Sequence, residues 1–349
     1  MREYGSEFDC AIIERGNLRA YFDRFCGKAF VRCGREAIRL CAAKIVRETG
    51  LRVVYMPALS CHSMWQPFAD AGFEIRFYPI DEAFLPHPTI AKGEQAVLFV
   101  MLYYGVTDLD YVRSVIRAYP DCVTIADITH SCFDVAAYNT GCDYTVASMR
   151  KSIGIVNGGV ALSVERELEQ PAYEPNAFTQ LRRKAFEEKL RYGACKSTEC
   201  KQNYRAMFAA AEHEIDMSTS IVGADAQSVV QLADCDVAKI ASARKANYRA
   251  LYRAIEQIDG VQALTPHYAA DRGAPFSLPI AVCDRDVVQR RLAQRGVYAP
   301  VLWPLADAAR SMDAFAAKVE REMLSLPIDQ RYMYDDMLDI GAILREALL

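Results

Sequence analysis

Apolar and polar residues alternate along the first half of the chain in blocks that predict helices and strands in turn. The segment GREAIRLCAAKIVRETG has an apolar stripe with helical spacing and ends at Gly50, a residue typical of a helix end. The strongest later block, EQAVLFVMLYYG, is apolar almost throughout. Such an unbroken run is typical of a strand in the centre of a parallel sheet.

The other blocks of this half continue the alternation. Further strands are predicted at LRVVYMP, FEIRFYPI, CVTIAD, DYTVAS and GVALS. One intervening helix is predicted to begin at Ser60, a frequent N-cap residue, and another covers LDYVRSVIRAYP. Strands that alternate with helices favour an α/β fold with a mostly parallel, doubly wound sheet. Ligands of such sheets bind at the carboxyl ends of the strands.

The pattern becomes more polar and more helical after Ser163. A long helical stretch is predicted from Phe178 to Glu214, with Gly193 as a candidate interruption, and another from Ala226 to Ile258. A smaller α/β pattern follows: strand PFSLPIAVC, helix RDVVQRRLAQRG, strand VYAPVLW, and helices near Met312–Met323 and Tyr334–Leu348. We therefore predict a large domain with connecting helices over residues 1–215 and a small C-terminal α/β domain over residues 216–349.

Composition and charge narrow the class of protein. The 349 residues are 52% hydrophobic and 25% charged, which is ordinary for a globular protein. A formal net charge of -4 gives no strong field for nucleic acid or an anionic membrane. The N-terminus has no signal-peptide pattern, and the longest apolar run, Ala96 to Val106, is too short to span a bilayer. We expect a cytoplasmic protein without a nucleic-acid or membrane partner.

Twelve cysteines are scattered through the chain. The closest pair, Cys195 and Cys200, has no second pair and no nearby histidine that would complete a zinc site. We therefore expect reduced, mostly buried thiols and no metal.

Polar side chains follow the predicted strands at their carboxyl ends. They are Asp127 and His130 after CVTIAD, and Ser148, Arg150 and Lys151 after DYTVAS. The helix that begins near Gly34 and Arg35 offers free backbone N–H groups, which bind anions. An acid, a lysine and an anion site at one sheet edge predict a phosphorylated cofactor held by a Schiff base.

Pyridoxal phosphate matches these residue types. Its aldehyde requires a lysine in a partly desolvated site, here Lys151, and its ring nitrogen requires a carboxylate, here Asp127. His130 is placed to donate to the 3-oxygen of the ring. The phosphate requires hydroxyl, backbone and cationic donors, for which the candidates are Ser148, Gly34, Arg35 and Arg150.

These segments together resemble a fold-type I pyridoxal-phosphate enzyme, in particular the DegT/DnrJ/EryC1/StrS aminotransferase family. GREAI is similar to the family's Gly-Thr-x-Ala phosphate turn, LYYG to its His-x-Tyr-Gly, and ADITHS to its Glu-Asp-x-Ala-Gln/His. SMRKSIGIVNGGVAL resembles its lysine block. VVYMPALSCHSM resembles its strand-Pro-x-x-Thr segment, and SLPIDQRYMYDDM its C-terminal Leu-Pro segment. The resemblance covers most of the chain, and it depends on the order and relative spacing of these segments.

The resemblance implies a role for each matched residue. Lys151 would carry the Schiff base and shuttle a proton, Asp127 would pair with the ring nitrogen, His130 would contact the ring, and Ser148 would bind the phosphate. It also implies a homodimer in which Asn157 is a candidate to reach the partner's site. The expected donor is glutamate, and the expected acceptor is a carbonyl compound, with a nucleotide-linked keto-sugar as one candidate.

The sequence departs from the family at four places. Lys151 follows Ser148 by three positions, where five are commonest, and Arg35 replaces a small hydroxyl residue. Cys61 or His62 stands where an aromatic residue stacks on the cofactor ring, and Asn157 replaces an acid before paired glycines. These changes leave open whether the acceptor is a sugar.

Each of these residues also has a simpler interpretation. Lys151 could be a solvated loop lysine, Asp127 and Ser148 could be caps, and His130 a structural histidine. Gly34 could be an ordinary helix start, and Arg35 and Arg150 could form surface ion pairs. Tyr103, Tyr104, Trp65 and Trp303 are expected to be packing residues.

Other functions also remain to be separated from transamination. A dehydratase or a lyase could use the same cofactor and scaffold, and a catalytically silent relative could serve as a binding protein. Motifs of other enzyme classes are absent: the chain has no Gly-x-Gly-x-x-Gly, no P-loop and no His-Glu-x-x-His. Ser148-x-x-Lys151 lacks the companion motifs of a serine acylase.

Overall fold

The computed structural model describes residues 2–10 and 16–349. The chain divides into two compact units, each assembled from separate stretches of sequence. The first unit is Met1–Ser6, Thr49–Asp143 and Val237–Leu349, and the second unit is Glu7–Glu48 and Tyr144–Asp236. These units are discontinuous in sequence, whereas the predicted domains meet at a single boundary between residues 215 and 216. That boundary stays a prediction.

The strands and helices confirm the predicted α/β class. The strands of the first half are Gly27–Val31 (β1), Val53–Pro57 (β2), Glu74–Tyr78 (β3), Val97–Met101 (β4), Val123–Asp127 (β5), Tyr144–Ser148 (β6) and Gly159–Ser163 (β7). The strand order is β5-β4-β2-β3 in the first unit and β1-β7-β6 in the second unit. Within the first unit, β2 runs parallel to β3 and β4, and β4 runs parallel to β5. Within the second unit, β1 and β6 pair antiparallel with β7.

Burial along the strands follows their place in the sheet. Every residue of β4 is buried, as expected for an apolar strand with neighbours on both sides. The edge strand β3 carries the polar residues Glu74 and Arg76 and is buried only at Tyr78. The hydrophobic pattern therefore identified the central strand correctly.

Helices alternate with the strands along the chain, as the sequence predicts. Their bounds are Leu18–Phe22 (α1), Gly34–Thr49 (α2), His62–Asp70 (α3), Leu109–Ala118 (α4), Ala177–Cys195 (α5), Thr198–Asp216 (α6), Ala226–Ala233 (α7), Val237–Ile255 (α8), Ala269–Arg272 (α9), Arg285–Gln294 (α10), Asp307–Met312 (α11), Ala314–Glu322 (α12) and Tyr334–Leu348 (α13). The N-cap of α4 is Asp108, whose carboxylate accepts from two backbone N–H groups.

A small antiparallel sheet in the first unit forms the predicted C-terminal α/β layer. Its strands are Val261–Ala263 (β8), Ser277–Val282 (β9) and Met323–Pro327 (β10), in the order β10-β9-β8. Helices α8, α10 and α13 supply the other half of its core. The fully buried core residues include Leu251, Leu278, Ile280, Leu292, Leu324, Leu326, Ile340 and Leu344.

One predicted strand of this layer, VYAPVLW, is wrong. Residues 300–306 have no regular structure, and Val297 makes only an isolated bridge to Tyr4. Pro300 and Pro304 lack the N–H groups that a strand must donate, which explains the failure of an otherwise apolar run. The unpredicted strand β10 occupies the sheet instead.

Helices α5 and α6 pack against each other as a hairpin in the second unit. The side chain of Asn176 accepts from the N–H of Thr179 and begins α5. Lys196 then adopts a left-handed conformation, with φ 52°, and ends the helix. The break therefore lies three residues beyond Gly193. The predicted helix from Ala226 to Ile258 is likewise two helices, α7 and α8.

Candidate active site

Asp127 is the last residue of β5 in the first unit and is only 5% exposed. Its Oδ1 accepts a hydrogen bond from the backbone N–H of Thr129 at 2.8 Å. This local turn fixes the carboxylate at the carboxyl end of the strand. A buried and oriented carboxylate can hold a proton on a basic ring nitrogen, because attraction between charges strengthens where water is scarce.

His130 follows in a short 3-10 turn and is 3% exposed. Its ring stacks on Phe276, with centroids 4.1 Å apart and planes 10° from parallel. The backbone N–H of Tyr104 donates to His130 Nδ1 at 3.2 Å. Because Nδ1 accepts, the neutral ring carries its proton on Nε2. This arrangement suits a structural histidine and a cofactor contact equally, so both interpretations stand.

Tyr103 and Tyr104 are fully buried packing residues, as expected. The Tyr103 hydroxyl donates to the carbonyl oxygen of Leu59 at 2.5 Å. Tyr104 has a left-handed backbone, with φ 53°, and its hydroxyl has no hydrogen-bond partner among the described residues. Burial raises the pKa of both phenols well above their usual value, so both stay protonated.

The N-cap of helix α3 lies one residue later than predicted. Cys61 rather than Ser60 occupies the N-cap position, and no side chain of the described residues caps the helix. Ser60 is buried, and its hydroxyl has no partner among the described residues. His62 is exposed, with its ring edge-on to Trp65 at 4.5 Å between centroids. Cys61 and His62 therefore remain candidates for the position next to the cofactor ring.

Gly34 and Ser148 meet closely in the second unit. Gly34 is the first residue of α2, and Ser148 is the last residue of β6. A Cβ added to Gly34 would lie 2.8 Å from the Cβ of Ser148, so no larger residue fits without a shift. The contact places a hydroxyl-bearing residue against the N-terminus of a 16-residue helix. Hydroxyl and helix N–H groups together suit a phosphate.

Lys151 lies three residues beyond Ser148, at the end of the 3-10 turn Met149–Lys151. Its side chain is exposed. Within the described part of the chain, Nζ has no hydrogen-bond or salt-bridge partner, so the amine is available for reaction. The exposure agrees with a solvated lysine and with a reactive one.

Arg35 and Arg150 are already bound to acceptors of the second unit. Arg150 forms a two-pronged ion pair with Glu212, at 2.6 and 2.7 Å. Arg35 donates to the carbonyl oxygen of Ile215 at 3.0 Å and to the carboxylate of Asp216, and so holds the C-terminus of α6. The Nε–H of each guanidinium has no hydrogen-bond partner among the described residues, so these bonds do not use all of its donors. Their phosphate roles stay predictions.

Asn157 is fully buried within its own unit. Its amide donates to Asp225 Oδ2, its carbonyl oxygen accepts from Thr179 at 3.3 Å, and its backbone N–H donates to Ser228 Oγ. A side chain that reaches a partner's site must be accessible on its own subunit, so this placement differs from the expected crossing role.

Two residues of these groups were missed in the sequence. Phe276 stacks on His130 from 146 positions away, and Glu212 pairs with Arg150 from 62 positions away. Both contacts depend on tertiary packing, and neither residue stands in a recognisable motif. A single sequence carries no signal for them.

Metal and membrane features can be checked over residues 2–10 and 16–349. No group of three or more histidine, cysteine, aspartate or glutamate side chains there is arranged to hold a metal ion. No helix in this part of the chain has both the length and the apolar character needed to cross a membrane.

Comparison with known proteins identifies the fold. No protein-family model and no curated protein sequence matches the chain. Solved structures do match it over nearly their whole length. The aminotransferase TlmJ from Streptoalloteichus hindustanus is similar, with a TM-score of 0.64 and 16% identity over 96% of this chain and 92% of that chain.

Two further solved structures show the same fold. Helicobacter pylori PseC, an aminotransferase involved in the biosynthesis of pseudoaminic acid, has a TM-score of 0.66 and 10% identity, and each chain is covered to 99%. A DegT DnrJ EryC1 StrS aminotransferase from Brucella abortus has a TM-score of 0.62 and 14% identity, over 94% of this chain and 87% of that chain. The resemblance drawn from the motifs is thus confirmed at the level of the fold.

Proposed function

We propose that this chain, which has the fold of the DegT/DnrJ/EryC1/StrS aminotransferases, is itself a pyridoxal-phosphate-dependent aminotransferase. It would move an amino group from an amino acid, with glutamate as the expected donor, to a carbonyl acceptor. The observation that carries the proposal is the close contact of Gly34 with Ser148, three residues before Lys151. Among the described residues, Lys151 Nζ has no hydrogen-bond or salt-bridge partner. Fold alone does not determine reaction, so the residues must support it.

The residues of the second unit fit the phosphate and aldehyde of the cofactor. The N-terminus of α2 and Ser148 would hold the phosphate, where a side chain on Gly34 would intrude. Lys151 Nζ would bind the aldehyde covalently. In this proposal Arg35 and Arg150 support the site through Asp216 and Glu212 rather than through the phosphate.

The residues of the first unit fit the ring. When bound, pyridoxal phosphate supplies an electron sink for the charge that develops at the donor's Cα. The Asp127 carboxylate would hold a proton on the ring nitrogen, and His130 would donate its Nε2–H to the 3-oxygen. Lys151 Nζ, once released, would carry the proton removed from the donor's Cα.

The acceptor and assembly are also proposed from the likeness. One similar structure, CalS13 from Micromonospora echinospora, is described as a sugar aminotransferase. A nucleotide-linked keto-sugar is therefore the first acceptor to test. We further propose a cytoplasmic homodimer, in which the residue that crosses to the partner is one other than Asn157.

The test is a reaction with pyridoxal phosphate and glutamate. We expect one 2-oxoglutarate per active site, together with conversion of the cofactor to its pyridoxamine form, and turnover only after a carbonyl acceptor is added. Release of ammonia or of a substrate fragment would instead indicate a dehydratase or a lyase. Failure to bind pyridoxal phosphate would contradict the proposal and favour a binding protein.

A further inference from the structure

A pair of thiols lies at the tip of the α5–α6 hairpin, apart from the strand-end residues described above. Cys195 is the last residue of α5, and Cys200 lies in the first turn of α6. Their sulfur atoms are 3.4 Å apart. Cys195 is exposed and Cys200 is partly exposed, so a reagent in solution can reach the pair.

The local backbone brings the two sulfur atoms together. Lys196 takes the left-handed conformation that reverses the chain, and Ser197 then precedes α6. The backbone N–H of Ser197 donates to Cys195 Sγ at 3.3 Å. Cys195 Sγ thus stands at the N-terminus of α6, where the helix dipole favours a negative charge.

The two thiols differ in their readiness to ionise. The N–H of Ser197, and then the neighbouring Cys200, lower the pKa of Cys195 below the usual value for a thiol. The hydrogen bond with Cys195, and then that with Glu188, raises the pKa of Cys200 to about 11. This asymmetry matches a nucleophilic thiolate beside a resolving thiol.

We propose that Cys195 and Cys200 form a reversible oxidation site, which a small-molecule disulfide converts to an intramolecular disulfide. The Cys195 thiolate attacks one sulfur of the reagent, forming a mixed disulfide and releasing one thiolate. Cys200 then gives its proton to the released thiolate, attacks Cys195 Sγ and expels the second half of the reagent as a thiolate. This second thiolate takes from water the proton that Cys195 released when it ionised. Two protein thiols are oxidised, and one small disulfide is reduced to two thiols.

Distance and chain separation favour a reversible link over a structural one. A disulfide requires sulfur atoms about 2.05 Å apart, which side-chain rotation from 3.4 Å can reach. Only four residues separate the two cysteines, and a short loop gains little stability from closure. Buried Cys41 differs, because burial raises its pKa to about 12 and keeps it unreactive. The inference does not depend on the proposed activity.

The test uses the full chain, first reduced and then treated with oxidised glutathione. Remaining thiols are alkylated, and the protein is digested with trypsin. Trypsin cleaves after Lys196, between the two cysteines, so a disulfide joins peptide 192–196 to peptide 197–201. We expect this linked species in the wild type and in Cys283→Ser, a control that removes another exposed thiol. It must disappear on reduction.

Two variants divide the mechanism into its steps. Cys200→Ser should keep glutathione on Cys195 as a stable mixed disulfide, and neither it nor Cys195→Ser should give linked peptides. Limiting iodoacetamide should label Cys195 of the wild type roughly 10-fold more than Cys200. Circular dichroism checks that each variant is folded. Mixed disulfides without linked peptides in the folded wild type would overturn the proposal.

Discussion

The two strand-end groups of the molecule are built differently. In the first unit, Asp127 and His130 are both at most 5% exposed, and neighbours of the same unit fix their orientation. In the second unit, Gly34 and Ser148 are buried, whereas Lys151 is exposed and without a hydrogen-bond or salt-bridge partner in the described part of the chain. The first group is buried throughout, whereas the second group combines buried residues with an exposed lysine.

This difference matches the work proposed for each group. A residue that only holds a proton on a ring gains from a fixed, buried position. A lysine that must bind an aldehyde, leave it and carry a proton requires freedom to move. Substitutions in the two groups should therefore impair the protein in different ways. In the first group the damage should come from a lost charge or a changed orientation, and in the second group from a steric clash or from loss of the amine.

The largest effect is expected at Asp127. Asp127→Asn keeps the acceptor for the Thr129 N–H and should leave the fold intact, but it removes the negative charge. We expect transamination to fall roughly 1000-fold, equivalent to about 4 kcal/mol of barrier. Asp134→Asn is the matched control, because Asp134 Oδ1 accepts from the N–H of Ala136 in the same kind of turn. Equal losses in both variants would contradict the charge role.

A steric change should separate the second group from the first. Gly34→Ala adds a Cβ 2.8 Å from the Cβ of Ser148, which must move the turn that we propose to bind the phosphate. We expect the Kd for pyridoxal phosphate to rise about 100-fold, with about 1–3 kcal/mol lost from the free energy of unfolding. Fluorescence titration and urea unfolding measure these quantities. Gly193→Ala has open space around its Cβ and should change neither.

The rigidity of the first group can be tested at His130. His130→Phe retains a ring that can stack on Phe276 but leaves the buried N–H of Tyr104 without its acceptor. We expect the free energy of unfolding to fall by about 1–3 kcal/mol. His87→Phe replaces a half-exposed histidine of the same unit and should change stability much less. An unchanged His130→Phe would show that the hydrogen bond contributes little.

The smallest effect is expected at the ion pair between Arg150, the residue before Lys151, and Glu212. Burial pushes the pKa of Glu212 upwards and is the largest single cause. The charge and hydrogen bond of Arg150, together with the charges of Arg182 and Lys151, outweigh burial and hold the pKa below its usual value of 4.5. A lowered carboxyl pKa stabilises the fold above about pH 4.5, and this contribution is lost as pH falls through the folded-state value.

Glu212→Gln should therefore lower the free energy of unfolding by about 1–2 kcal/mol at pH 7. Between pH 5 and 3 its free energy of unfolding should also fall less steeply than that of the wild type. Urea unfolding at several pH values measures both. Glu214→Gln alters an exposed neighbour on the same helix and should follow the wild-type curve. If the stability of Glu212→Gln varied with pH as steeply as that of the wild type, the ion pair would not contribute to the pH dependence.

Local patterns in the sequence predicted the strand ends well. The apolar run of β4 and the polar residues after β5 and β6 lie where the sequence indicates, because burial on both faces leaves a plain signature. Asp127 and Ser148 are strand-terminal residues as expected. The motif order also led to the correct fold.

Contacts between distant parts of the chain were not predictable in this way. Asn157 is buried by Asp225, and Arg150 is held by Glu212, although each partner is more than 60 positions away. The run VYAPVLW shows the opposite error. Its apolar pattern is that of a strand, but Pro300 within it and Pro304 directly after it lack the N–H groups that pairing requires. The hydrophobic pattern of a sequence indicates which residues are buried. The hydrogen-bond and ion-pair partners of a residue depend on tertiary packing.

Borohydride reduction would show directly whether Lys151 binds the cofactor, as we propose. The protein is loaded with pyridoxal phosphate, reduced, digested and analysed by mass spectrometry, beside Lys151→Ala and Lys184→Ala, which alters an exposed lysine of the same unit. We expect a pyridoxyl group on Lys151 in the wild type and in Lys184→Ala, and none at a defined site in Lys151→Ala. A label on another lysine, or no label on the wild type, would contradict it.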